Sequence, residues 1–186
     1  MDKFNICSQN LFFKCGVESV LNDLPVLSDS LIWDKLIITD SIESLLQLNI
    51  KDLKSHSVIL FVKDHRYMSL INHYGFHIIL TTLMMTETVE GIRRCLADVF
   101  CKIRRKINVY NNSLYTPGQV WLTERELNIL MLSCSGKAVD IIANKLTLSQ
   151  KSVLNYRAAA LKKLGSNLSA SMVNFMLSIN KLHGIC

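Results

Sequence analysis

Leu122–Gly165 reads LTERELNILMLSCSGKAVDIIANKLTLSQKSVLNYRAAALKKLG. Thr123-Glu124-Arg125-Glu126 has the form of a capping box, with Thr123 as N-cap and Glu126 three residues on. Leu127, Leu130, Met131 and Cys134 then form one apolar stripe. Gly136 is placed to end that helix in a left-handed conformation. A second helix is expected over about Val139 to Leu146, burying Val139, Ile142, Ala143 and Leu146. Thr147-Leu148-Ser149 makes a tight turn, and Ser149 is a natural N-cap for a third helix over about Gln150 to Leu164.

The third helix has two unlike faces. At 100° per residue, Val153, Tyr156, Ala160, Leu161 and Leu164 share a side that packs on the other two helices. Lys151, Asn155, Ala158 and Lys162 lie opposite, with Leu154 and Ala159 at the edges. Such a face suits the DNA major groove. Lys donates to guanine, Asn binds adenine through two hydrogen bonds, and a small Ala lets the backbone approach. Arg157 falls nearer the buried edge, where it reaches a phosphate or stays structural. Lys162 and Lys163, at the far end, fit phosphate contacts or partners of the helix dipole. The segment is therefore expected to be a helix-turn-helix.

The charge distribution agrees. Residues 122–186 carry 8 Lys/Arg against 3 Asp/Glu, a net of +5, whereas residues 1–121 carry 13 against 12, a net of +1. Four of the latter's basic residues form one run: Lys102, Arg104, Arg105 and Lys106. A positive field gathered in the C-terminal third is what a phosphate-seeking module needs. The six cysteines are scattered without a CxxC pair or a Cys/His cluster, which argues against a zinc site. The apolar run 78–85 is too short to cross a bilayer. The opening MDKFNICSQN lacks the apolar core of a secretory signal, so a cytoplasmic protein with reduced thiols is expected.

The first hundred residues alternate strand and helix patterns. Strands are read at Phe4–Cys7, Leu36–Thr39, Val58–Val62 and His77–Leu80, with a poorly defined one in 26–33. Helices are read from Leu11 towards Pro25, over Ser41–Leu48, over Asp64–Tyr74 up to Gly75, and over Thr86–Ile103. Val58-Ile59-Leu60-Phe61-Val62 is the clearest strand, five consecutive apolar residues as in a parallel strand covered on both faces. The alternation implies βαβ units and an α/β domain over 1–103. The polar, turn-rich segment 104–119 reads as a linker, and 120–184 as the helix-turn-helix domain.

The order of elements resembles the receiver domain of bacterial response regulators. The resemblance implies a metal-holding acidic pair after the first strand, a phosphoacceptor Asp after the third and a Lys after the fifth. Asp40 stands at the phosphoacceptor position, but Ser8, Gln9 and Asn10 replace the acidic pair and Thr81-Thr82 stands where Lys is expected. A hard divalent ion needs carboxylate oxygens, and phosphoryl transfer needs the ion. Asp40 is thus a candidate phosphoacceptor that lacks its companions, and the domain reads as a degenerate receiver.

Leu122-Thr123-Glu124-Arg125-Glu126, Gly136, Ile141-Ile142-Ala143, Leu146, Ser149, Ser152-Val153, Tyr156 and Lys163-Leu164-Gly165 closely resemble, without a gap, the LuxR/FixJ-type helix-turn-helix. Among such proteins the chain is similar to the small enterobacterial auxiliary regulators of the RcsA, RcsB and GadE kind. The resemblance implies a four-helix domain. Its last helix, about Ser169 to Leu182, would carry Met172, Val173, Met176 and Ile179 into a dimer surface. Ile141 replaces the usual Glu, Tyr156 the usual His, and Leu154 and Ala158 stand where relatives carry basic side chains.

The expected function is a DNA-binding transcriptional regulator, a homodimer or a heterodimer with a related regulator, not controlled by phosphorylation. Its contacts to double-stranded DNA would come from Lys151, Ser152, Leu154, Asn155, Arg157, Ala158, Lys162 and Lys163. An alternative is a regulator that acts by pairing with another LuxR-type protein and reads little DNA itself. The five histidines pair with no Ser or Cys in a catalytic pattern, and no phosphate-binding Gly loop is present. No enzyme activity, metal, cofactor, membrane contact or small-molecule substrate is expected.

Overall fold

Runs of β-branched and aliphatic residues separated by amphipathic stretches build a parallel sheet, because each strand then buries side chains on both faces. The computed structural model describes residues 5–24, 36–48, 53, 55–74, 76–104, 122–165 and 169–185. Its elements are β1 (Asn5–Cys7), α1 (Leu11–Asn22), β2 (Leu36–Thr39), α2 (Ile42–Leu46), β3 (Ser57–Val62), α3 (His65–Tyr74), β4 (Ile79–Met84) and α4 (Val89–Arg104). Four helices follow: α5 (Glu124–Cys134), α6 (Val139–Leu146), α7 (Gln150–Lys163) and α8 (Ala170–Ile185). The strand expected in 26–33, the stop at Gly75 and nearly all of the linker fall outside the described residues.

The four strands form one sheet in the order β1-β2-β3-β4, every neighbouring pair parallel. Successive strand residues point to opposite faces and so enter different cores. Leu36, Ile38, Ile59 and Phe61 meet Val17, Leu21, Leu96 and Phe100 of α1 and α4. Ile37, Val58, Leu60 and Val62 face the other way, onto Ile42, Leu45, Leu70 and Ile71 of α2 and α3. The result is the expected three-layer α/β domain.

β4 departs from expectation. It runs Ile79–Met84, not His77–Leu80. A register irregularity at Val58/Ile59 lets Thr81, Thr82, Leu83 and Met84 continue the ladder beside Ile59, Leu60, Phe61 and Val62. The two threonines, being β-branched, sit in the strand instead of ending it. The residue following this strand is Met85, so the fifth-strand lysine of a receiver is lacking here too.

The second core layer does not stop at the α/β domain. Met172, Met176, Ile179 and Leu182 of α8 are at most 1% exposed, in one continuous cluster with Ile42, Leu45, Tyr67 and Ile71 and with Leu127, Leu130 and Met131 of α5. Thus α8 is clamped between α5 on one side and α2 and α3 on the other. Polar contacts edge this seam. Ser178 Oγ donates to Glu43 Oε1 at 2.8 Å, and the Tyr67 hydroxyl lies 3.4 Å from Ser171 Oγ. The Tyr67 and Phe175 rings meet edge to face, and His183 sits against Tyr74 and Phe76. The stripe assigned by resemblance to a dimer surface is therefore covered, in this arrangement, by the chain's own α/β domain. Only Val173 of the four named residues is partly exposed.

Candidate nucleic-acid interface

The start of α5 sets the geometry of the C-terminal helices. Thr123 and Glu126 make the capping box in both directions: Glu126 N–H donates to Thr123 Oγ1 at 3.3 Å, and Thr123 N–H donates to Glu126 Oε2 at 2.7 Å. The same oxygen accepts from Lys163 Nζ at 2.7 Å. Glu126 is 4% exposed. Burial alone would raise its carboxyl, but the bonds from Lys163 and Thr123 outweigh it and hold the group below the ordinary glutamate value. One buried carboxylate thereby ties the first turn of α5 to the last turn of α7.

α5 ends at a left-handed Gly136 (φ +73°), as expected. Lys137 N–H reaches back to Leu132 C=O and Gly136 N–H to Ser133 C=O, which satisfies the terminal carbonyls. Ala138 stands at the N-cap of α6, and its side chain supplies no cap bond. The turn into α7 places Thr147 at φ +54°, a left-handed conformation that a β-branched residue adopts at a cost. Leu148 N–H donates to Ala143 C=O, closing the turn. Ser149 then caps α7, accepting from Ser152 N–H at 3.0 Å. Ile129, Ile142, Ala143 and Val153 form a separate small core beneath this turn. Ile129 was not part of the stripe read from the sequence. It lies on the second buried flank of α5, facing α6 and α7.

With α7 pinned by Val153 and Ala160, both at 0% exposure, its outer face is fixed. Lys151, Leu154, Asn155, Ala158 and Lys162 are all exposed on it. The other contact candidates stand differently. Ser152 is half-buried, and its hydroxyl lies 2.8 Å from that of Ser149, within the cap. Arg157 is half-buried and close enough to Cys134 to offset part of the rise that burial imposes on that thiol. Lys163 is exposed along its stem but spends its ammonium on Glu126. Hence α7 offers five side chains outward and holds three for its own support.

The candidate phosphoacceptor lies elsewhere. Asp40 follows β2 and is half-buried, but it does not cap α2; Ser41 does, accepting from Ser44 N–H. Asp40, Glu43 and Lys63 line a cleft of about 240 Å³ whose far wall is Ser171, Asn174 and Phe175 of α8. The residues standing for the acidic pair have structural tasks: the Ser8 hydroxyl accepts from Asn10 N–H, and Asn10 caps α1 through Phe12 N–H and Phe13 N–H. Among the described residues no group of three metal-ligating side chains comes together, and no helix is long and apolar enough to cross a membrane.

Comparison with known proteins bears on both halves. The family profile of bacterial regulatory proteins, luxR family, matches residues 120–176. No curated protein sequence matches the chain. Among solved structures, that of the two-component response regulator RcsB in complex with DNA is 17% identical with a TM-score of 0.53. The match covers 94% of this chain and 96% of that one. RcsB from Salmonella enterica serovar Typhimurium bound to promoter P1flhDC is 18% identical, TM-score 0.40, covering 95% and 100%. Full-length FixJ from B. japonicum is 14% identical, TM-score 0.35, covering 97% and 99%. The first of these carries the fold: a parallel sheet flanked by helices, followed by a helical domain, the order found here. Residues 120–176, with their capping box, left-handed Gly136 and fixed outer face on α7, belong to the luxR family of bacterial regulatory proteins.

Proposed function

We propose that the chain is a DNA-binding transcriptional regulator that inserts α7 into the major groove. The carrying observation is the fixed, exposed face of Lys151, Asn155, Ala158 and Lys162, set in a luxR-family domain and in the C-terminal third of the chain, which has a net charge of +5. Lys151 and Asn155, in the first two turns, are the base-reading side chains, and Lys162 is a backbone phosphate contact. Arg157 and Ser152 support the helix and reach only phosphates. Lys163, which the sequence also nominates, acts mainly through Glu126. The division into 1–103, a linker over 104–119 and 120–184 belongs to this proposal.

Control runs through protein association and abundance, not a phosphate on Asp40. The tasks of Ser8 and Asn10, and the absence of a Lys after β4, support this. Association as a homodimer or with a related regulator uses either a surface other than the α8 stripe or an α8 released from its seam. Duplexes selected by the chain from a random pool give the test. Their retardation is expected to weaken steeply between low and physiological salt. Lys151→Ala with Asn155→Ala is expected to abolish selective retardation; unchanged binding by that variant would remove the assignment of α7.

A second reading is favoured by one observation. Ile141 and Leu154 are about half exposed on the helix-turn-helix, where charge would be expected. On that reading the motif pairs with another regulator. Activity that survives loss of Lys151, Asn155 and Lys162 would select it.

A further inference from the structure

Leu154 is 49% exposed, although every neighbour on its face is polar or small. It cannot turn inward. Val153 and Ala160 are fully buried, Ser149 caps the helix, and Glu126 holds its far end through Lys163. Leu154 lies one turn from Lys151 and one turn from Ala158, and directly precedes Asn155. A helix whose outer side carries Ala158 can come close to a surface, and the side chain one turn earlier is then pressed onto that surface. An isobutyl group cannot reach out to a phosphate or accept from a base edge. Within the major groove one chemical group is apolar, the C5 methyl of thymine.

We infer that Leu154 is a specificity-determining residue that packs on a thymine methyl. The inference rests on the proposed insertion of α7 and deepens it by naming what the uncharged position reads. Leu154 and Asn155, adjacent along the helix, then read neighbouring base pairs. Asn155 takes an adenine through N6 and N7, and Leu154 takes a thymine through its methyl. The site selected by this chain holds both.

Replacing thymine by deoxyuridine removes the methyl and leaves base pairing unchanged. Each thymine of the duplex selected by the full-length chain is replaced in turn, and affinity is measured for the native chain and for Leu154→Ala. The substitution lies on an exposed position, and its far-ultraviolet dichroism serves as the check on folding. At one thymine the native chain is expected to lose about fourfold in affinity, the worth of one buried methyl-sized group. Leu154→Ala is expected to bind the thymine and uracil duplexes equally. Uracil tolerated at every position overturns the inference and leaves DNA binding intact. So does a methyl preference that persists in Leu154→Ala. Failure of the native chain to select any duplex overturns the inference and the reading of α7 together.

Discussion

Glu126 has two tasks of different legibility. The capping box is local: Thr and Glu three residues apart announce it. The bond to Lys163 spans 37 residues and exists only because α5 and α7 cross where they do. The sequence alone offers Lys163 for a phosphate or for the helix dipole, and it carries no sign that the ammonium also closes a buried carboxylate's shell. Glu126→Gln keeps the shape but removes the charge that the Thr123 N–H, the Thr123 hydroxyl and the Lys163 ammonium share. It is expected to cost about 1–2 kcal/mol in denaturant unfolding, discounted because Lys163 is partly exposed. The pH dependence has a definite sign. A carboxyl held below its unfolded value contributes stability above that value and loses it as pH falls through the folded one. The gap between native chain and Glu126→Gln is thus expected to be full at pH 7. It should shrink on acidification below roughly pH 4.3, the usual glutamate value. A gap that widened in acid would contradict the charged assignment.

At the scale of elements, legibility followed the strength of local signals. α5 and α7 carry side-chain caps and one-sided apolar stripes, and both lie within a residue or so of their expected bounds. β4 runs past the end its sequence suggests because Thr81-Thr82 reads as polar when seen alone. Only the partner β3, displaced by a local irregularity, makes it strand. α6 is the weak element of the motif. It has 8 residues, and the Ala138 side chain caps none of its first amides. Ala138→Ser would place an oxygen near the N–H groups of the first turn, with the backbone already extended at φ −68°, ψ 153°. The change is expected to stabilise the chain by about 0.5–1 kcal/mol, read as a higher thermal midpoint. Ala138 is exposed, so no packing opposes it. No gain, with the fold intact, would show that solvent already satisfies those amides fully.

For the whole molecule, the sequence indicated two domains and a linker but not their contact. Its signal was present yet ambiguous. An apolar stripe on α8 states that the face is covered, and says nothing of whether a second copy or the same chain covers it. Here Met172, Met176, Ile179 and Leu182 join α5 to α2 and α3 in one core. Two lobes that share a core should not unfold independently. Amide hydrogen exchange in β3 and in α5 is therefore expected to report the same opening free energy under native conditions. Met176 is fully buried at the junction, so Met176→Ala should lower both by a similar amount, about 2–4 kcal/mol. Independent lobes would instead show two opening energies, with the substitution felt chiefly in α5. The coupled outcome has a consequence for assembly. A dimer built on the α8 stripe would first have to strip it from α2 and α3, whereas the outer face of α7 stays exposed throughout. Substituting the seam should then shift oligomeric state and leave base preference unchanged. Sedimentation of Met176→Ala beside its selected duplex sequence would reveal both together.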